Sequence, residues 1–493
     1  MTTTRPTQDK DAATQGPVLA FLVSSLVWLL LAGMLSLIAS AKLHAPRFLA
    51  SSAWLTFGRV RPAQESLMLY GWASMAGAAV LIGLTAWLSS RAPRFPGLLI
   101  VAASLWDLAV LEGTLGILAG GRTGIPWLEY PAGPASLIAI ASIVVGASTA
   151  VSLLGRSGAG DPPRSYLLAA AFGFVWLETT AAWLTVIRPV GGITESVIAA
   201  WYADGLSGLW FAAIGLAVLY AMLPPLVNRP IANRRVASLG FWSLVTLCVW
   251  AGGRRLVGGP VPAWVVTVAI VAGVLLVIHL ASIAINLLPM LTARPRPRTD
   301  EPARAFLIFA VVAYLASGVL QAVGSLRSVS RILHFTHAED ALAQLGLFGF
   351  FSMAIFGAVY RILPRLSGRG WTSRWAIRAH FWCSAGGVVL YASILTAAGL
   401  VQGLALRDAT VPIVDIGRRM TPFLIGGTAA LGLMVLGTVF FVLAIAGHLM
   451  VGRTRRAERR RNRVEASDGA ARGTSEHRGG EAVLIGTREE RKR

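Results

Sequence analysis

Twelve apolar runs follow one another between residues 17 and 451, each long enough, at roughly 17–28 residues, to cross a hydrocarbon core about 30 Å thick. They cover roughly 17–40, 66–88, 97–119, 131–154, 165–187, 198–224, 237–256, 262–289, 303–326, 341–364, 377–403 and 422–451. In lipid a backbone must satisfy its own polar groups, so runs of this kind form helices. Little polar sequence separates them. The expected fold is therefore all-α: one polytopic bundle of about twelve transmembrane helices.

Composition agrees with this reading. The chain is 55% apolar and only 14% charged, whereas soluble domains carry about 25% charge. A net charge of +21 would point a soluble protein toward nucleic acid. Here the basic residues sit in short connections and in a tail reading "RTRRAERRRNR" (Arg453–Arg463), the positive-inside pattern of a membrane protein. The expected surroundings are a lipid bilayer, with no nucleic acid. Placing the N-terminus in the cytoplasm puts the larger share of Arg and Lys on that side. An even number of spans brings the C-terminus to the same side, as in a bacterial inner membrane. Three segments follow: a disordered cytoplasmic tail over 1–16, a membrane domain over 17–451, and a basic disordered tail over 452–493 that lacks the apolar residues to order itself.

Ionisable residues at membrane depth are costly and mark sites or helix–helix contacts. Asp107, Glu112, Glu178, Asp204, Arg254, Arg255 and His279 lie within or at the ends of spans and are expected to face the bundle interior or snorkel. Of seven histidines, only His279 lies deep in a span. His44, His334, His337, His380 and His448 lie at or beyond span ends, and His477 is in the tail. A bis-imidazole haem needs two histidines facing each other across helices, which this distribution does not supply. No CxxCH, Walker loop, HExxH or GxSxG occurs. Cys248 and Cys383 both lie in apolar runs and imply neither a disulfide framework nor a zinc site.

Several longer stretches carry a resemblance. "TFGRVRPAQESLMLYGW" (Thr56–Trp72), "TGIPWLEYP" (Thr123–Pro131), "AWYADGLSGLWF" (Ala200–Phe211), "FWSLVTLCVWAGGRRLVG" (Phe241–Gly258), "HFTHAEDALAQLGLFGF" (His334–Phe350), "FGAVYRILPRL" (Phe356–Leu366) and "HFWCSAGGVVLYASILTAAGLVQGLALR" (His380–Arg407) occur in this order. Together they resemble subunit I of the cbb3-type cytochrome c oxidases, a branch of the haem–copper oxidase superfamily.

That resemblance implies a low-spin haem b, a high-spin haem and a copper ion held by six histidines. In such proteins the low-spin haem ligand follows an Arg-Pro pair by two residues, and here that residue is Gln64. One copper ligand ends a Trp-Tyr-Gly-His motif, and here the position holds Asp204. Two further copper ligands form a His-His pair, replaced here by Arg254 and Arg255. A His-x-His pair that binds both haems is replaced by Leu342 and Gln344. A tyrosine that the family cross-links to histidine is replaced by Cys248.

With every ligand position changed, the expectation is a scaffold without haem or copper, whose core is filled by side chains. Such a chain would be a non-catalytic subunit of a respiratory or redox membrane complex, partnered by a membrane-anchored cytochrome c or another redox subunit. Two alternatives stand beside it. One is an active terminal oxidase or nitric oxide reductase. The other is a proton, ion or small-molecule transporter using the vacated core, with Asn286, Glu112, Glu178 and Asp204 along its path. Finally, a carboxylate and two guanidiniums at three converging positions suggest a charge cluster in place of a metal. Asp204 is expected within about 4 Å of Arg254 or Arg255.

Overall fold

The computed structural model describes residues 5–154, 161–292 and 302–450. The basic tail expected over 452–493 lies outside the described residues. Among them, twelve helices are long and apolar enough to cross a membrane: α1 (Asp11–His44), α2 (Phe57–Ser89), α3 (Pro96–Ala119), α4 (Ala132–Leu153), α5 (Pro162–Ile187), α6 (Gly192–Val227), α7 (Arg234–Leu256), α8 (Ala263–Leu291), α9 (Ala303–Gly324), α10 (His337–Ser367), α11 (Arg374–Leu406) and α12 (Ile413–Met450). Every expected span is present, and most extend several residues further, because helices continue past the hydrocarbon boundary. The first shows this most. Its helical conformation begins at Arg5, so the segment expected as a disordered tail is helical from that residue on. Backbone hydrogen bonding continues into polar sequence, and Pro17 lies within the helix.

Three helices form the centre. The most apolar stretch of α2 is wholly buried, that of α6 is 89% buried and that of α10 72%, against 28–50% for the other nine. Each central helix contains a π-helical stretch: Leu67–Ser74 in α2, Leu206–Ala212 in α6 and Leu345–Ser352 in α10. A fourth lies in α5 at Ala182–Ile187. The wider π turn redirects the side chains around it and recurs at functional sites. In the three central helices it begins within three residues after Gln64, Asp204 and Gln344 respectively.

Along the π stretches the central helices pack by aromatic contact and side-chain hydrogen bonds. Trp72 of α2 donates to Ser352 Oγ of α10 at 2.8 Å, and Trp210 of α6 donates to Ser74 Oγ of α2 at 3.1 Å. Phe211 meets Phe351 with ring centroids 4.9 Å apart. His380 was expected at a span end, but it is fully buried in α11, bonded to the Tyr360 hydroxyl at 2.8 Å and bordered by Phe356 at 4.4 Å. His448 is likewise buried, within α12. The helix α11 begins at Arg374, ahead of its apolar run, and α12 continues to Met450, so both imidazoles lie within helical packing.

Asn286 takes a structural position. Its Oδ1 accepts from the Asn233 backbone N–H at 2.9 Å, while the Asn233 side chain caps α7 by accepting from Arg235 and Val236. The start of α7 is thereby fixed to α8, and α7 then carries Arg254 and Arg255 at its far end.

Candidate functional site

A cavity of about 500 Å³ lies between the central helices in the half of the bundle remote from both chain ends. Gln64, Asp204, Cys248, Arg254, Arg255, Leu342 and Gln344 all line it. Seven residues on four helices, far apart in sequence, thus share one wall. The core at this place is therefore not filled by side chains, in contrast to the expectation. Asp204, Arg254 and Arg255 are turned into pairs with one another and leave the space between the helices open.

The ion cluster sits on this wall. Asp204 Oδ2 lies 2.5 Å from Arg254 Nη1, and Arg255 Nε donates to Asp204 Oδ1 at 2.8 Å. Asp204 and Arg254 are mostly buried, with side chains 7% and 16% exposed, while Arg255 is 43% exposed. Local structure brings the three together. The last turn of α7, Gly252–Leu256, tightens to a 3₁₀ helix. A Cβ at Gly252 would collide with the Ala200 carbonyl of α6, so a glycine is what allows this end of α7 to approach. Arg254 also donates to the Ala251 carbonyl at 3.1 Å, and the Arg255 guanidinium lies over the Trp127 ring, 5.4 Å from its centroid. The arginines do occupy a helix end, yet they turn inward to the carboxylate. A buried Asp204 without them would be far costlier than the pair.

A second polar link crosses the cavity. Arg61 Nη2 of α2 lies 2.7 Å from Asp340 Oδ1 of α10, and His337 Nδ1 lies 3.2 Å from Asp340 Oδ2. Thr336 caps α10, accepting from the Ala338 N–H, and Glu339 and Asp340 occupy the first turn, where the helix dipole favours acidic side chains. His337 is the first residue of this helix and not a residue before it. The i,i+3 spacing of His337 and Asp340 is the local signal that could have found this pair. His279 and His334 also reach the wall. Sequence distance from the expected ligand positions had concealed this convergence of imidazoles.

The side chains at the six implied ligand positions do not fit the implied haems or copper. Haem iron takes an axial imidazole, thiolate, thioether or phenolate, and copper favours imidazole and sulfur. Gln64 and Gln344 offer carboxamides, Leu342 offers no donor, and both Asp204 oxygens are held by guanidiniums. His279 uses both ring nitrogens, at 2.7 Å from the Gly240 carbonyl and 2.6 Å from the Tyr314 hydroxyl. His334 engages Glu339 through Nδ1 at 2.6 Å and leaves Nε2 buried without a hydrogen-bond partner. Among the described residues no group of three or more His, Cys, Asp and Glu is arranged to hold a metal.

The other membrane-depth residues separate from this site. Trp28 Nε1 donates to Asp107 at 2.6 Å, a helix–helix bond between α1 and α3. Glu112 is exposed on the outer surface of α3 and does not face the interior, because it shares the outward face with Leu111 while Val110, Gly113 and Thr114 of the same turn are buried. Glu178 is buried, with its Oε2 2.5 Å from the Tyr202 hydroxyl. Asn286, Glu112, Glu178 and Asp204 therefore do not line one path, and only Asp204 borders the cavity.

The loop 120–131 closes the rim. Trp127 adopts φ +71°, a strained region for a non-glycine residue. Thr123 Oγ1 donates to the Leu128 carbonyl at 2.7 Å and holds the turn. Glu129 is buried, 3.6 Å from Arg122, with Oε2 unpartnered. Burial raises its carboxyl above the ordinary glutamate range, against the opposing pull of Arg122.

Comparison with known proteins agrees with the architecture. Residues 16–434 match the family described as cytochrome c and quinol oxidase polypeptide I. The chain is 26% identical over 427 residues to cytochrome c oxidase subunit 1 of Rhodobacter capsulatus, covering 82% of this chain and 78% of that one. It is 25% identical over 406 residues to the cbb3-type cytochrome c oxidase subunit CcoN1 of Stutzerimonas stutzeri, covering 78% and 83%. Its fold is similar to that of a haem–copper terminal oxidase dimer solved by cryo-electron microscopy, with TM-score 0.70, 11% identity, and 88% and 84% of the two chains covered. This multi-pass membrane chain belongs to the cytochrome c and quinol oxidase polypeptide I family.

Proposed function

We propose that this protein is a non-catalytic, cofactor-free member of its family, serving as a membrane subunit of a respiratory or redox complex. The observation that carries the reading is the salt-bridged Asp204–Arg254–Arg255 cluster. In the resembled cbb3-type proteins three copper-binding histidines converge at those positions. A carboxylate neutralised by two guanidiniums satisfies the wall and offers a metal no free donor. The scaffold then supplies a docking surface for a membrane-anchored cytochrome c or another redox subunit, with both termini in the cytoplasm. A pyridine-haemochrome assay with metal analysis on purified, washed protein tests this. The expected result is neither haem nor copper at stoichiometric level, and stoichiometric haem overturns it.

A second reading has its own observation. The cavity is large enough for a small molecule, and one side of it carries the half-exposed Arg255 and the unpartnered Nε2 of His334. Native mass spectrometry of gently extracted protein distinguishes the two. A retained small molecule lost in a His334→Ala variant favours binding in the cavity.

A further inference from the structure

From the interior to the cavity rim, four oxygen atoms form an unbranched chain. Glu178 Oε2 on α5 lies 2.5 Å from the Tyr202 hydroxyl on α6. The Tyr202 hydroxyl lies 2.7 Å from the Tyr70 hydroxyl on α2, and the Tyr70 hydroxyl lies 2.6 Å from the Trp127 carbonyl in the rim loop. Both tyrosines are almost fully buried, and Glu178 is 1% exposed.

Three contacts of this length need three hydrogens. The carbonyl of Trp127 only accepts, so the single hydrogen of Tyr70 goes to it. The Tyr70–Tyr202 contact must then take the hydrogen of Tyr202. Nothing remains for the Tyr202–Glu178 contact unless Glu178 supplies one. With an ionised Glu178, Tyr202 would donate to the carboxylate and two hydroxyl oxygens would face each other at 2.7 Å with no hydrogen between them. We infer that Glu178 is a buried proton-binding site, a carboxylic acid whose O–H donates to Tyr202, aligning all three hydrogens toward the Trp127 carbonyl.

The surroundings favour the neutral acid. The titratable groups that face it are Tyr202 from α6 and, through it, Tyr70 from α2. Tyr70 borders Tyr130, whose hydroxyl meets Thr114 at 3.3 Å. The helices α4 and α7, also packed on α5, bring it no ion-pair partner among the described residues. Loss of the proton must break one contact of the chain. Its far end is Trp127, the residue that lies at φ +71° against Arg255 on the cavity rim. Protonation of a carboxyl in α5 is thereby tied to the rim loop without any contact between them.

Infrared difference spectroscopy of the purified protein in H₂O and D₂O tests the inference. Wild type should show a deuterium-sensitive carboxylic-acid carbonyl band at neutral pH that is absent from Glu178→Gln, whose amide N–H replaces the acid O–H in the chain. A wild-type spectrum with no such band overturns the proposal. Tyr70→Phe gives a second readout if the glutamine variant fails to fold. Removing one hydroxyl leaves a single contact that Tyr202 alone can supply, so Glu178 no longer needs its proton. The band should then titrate away at lower pH than in wild type, and an unchanged titration overturns the hydrogen count.

Discussion

Helices α2, α6 and α10 each pass through two environments. At the end near Phe57, Gly192 and His337 they border a cavity and carry Arg61, Gln64, Asp204, Leu342 and Gln344. Further along, from within their π stretches onward, they are packed ring on ring, with Trp72, Trp210, Phe351 and Phe356 almost wholly buried. The two halves reach stability by different means. The packed half relies on dispersion between close-fitting surfaces, the main source of helix association where lipid is as apolar as the protein. The cavity half relies on charge pairs whose members are intolerable apart. The two environments meet within the π stretches, where the wider turn changes the direction in which side chains leave the axis.

This contrast can be broken by truncating one side chain in each half. Phe351→Ala should destabilise by about 3–5 kcal/mol, as expected when a buried aromatic leaves a void. Leu342→Ala, which already faces open space, should cost less than about 1 kcal/mol. Equal losses, measured by reversible unfolding in mixed detergent, would show that the cavity wall is packed as tightly as the aromatic half.

Asp204→Ala tests the charge-paired half directly. The expected loss is about 3 kcal/mol, at the low end for a broken buried pair because Arg255 is partly open to solvent. Adding Arg254→Leu should recover much of it. Strictly additive losses in this cycle would mean that Asp204 and Arg254 do not depend on each other.

The smallest effect is expected at the rim. The raised carboxyl of Glu129 binds its proton more tightly in the folded chain than in the unfolded one. Its favourable contribution is full below the ordinary glutamate range, near about pH 4.3, and is lost as pH rises through the higher folded value. Glu129→Gln should remove this part of the pH dependence and raise the melting temperature slightly at neutral pH. A melting profile with the same acid-side slope in both proteins would place the titration elsewhere.

Most of the fold was legible along the chain. Each span announces itself, since a run of about 20 apolar residues in lipid has no structure open to it but a helix. The positions that line the cavity were legible too, through motifs that resemble cbb3-type subunit I at Gln64, Asp204, Arg254, Arg255, Leu342 and Gln344. Less was legible of their partners. His337 read as a residue at or beyond a span end and Glu178 as an isolated ionisable residue, while Arg61, Asp340, Tyr70 and Tyr202 carried no signal of their own. Neighbourhood across helices leaves no local trace, because a side chain's partner is chosen by the crossing of two helices and not by sequence spacing.

The sequence by itself determined that this chain carries twelve runs able to cross a membrane as helices, and that Gln64, Asp204, Arg254, Arg255, Leu342 and Gln344, none of them a histidine, stand where the cbb3-type resemblance implies ligands. Both follow from the chemistry of single residues and short runs. Only the tertiary structure decided that Asp204 is held by both arginines, that a cavity persists among the central helices, and that three hydroxyl and carboxyl groups from three helices share their hydrogens. Each of these depends on distances of a few ångströms between segments far apart in sequence. Those distances are fixed where helices cross, where Gly252 admits a close approach and where a π stretch turns a side chain inward.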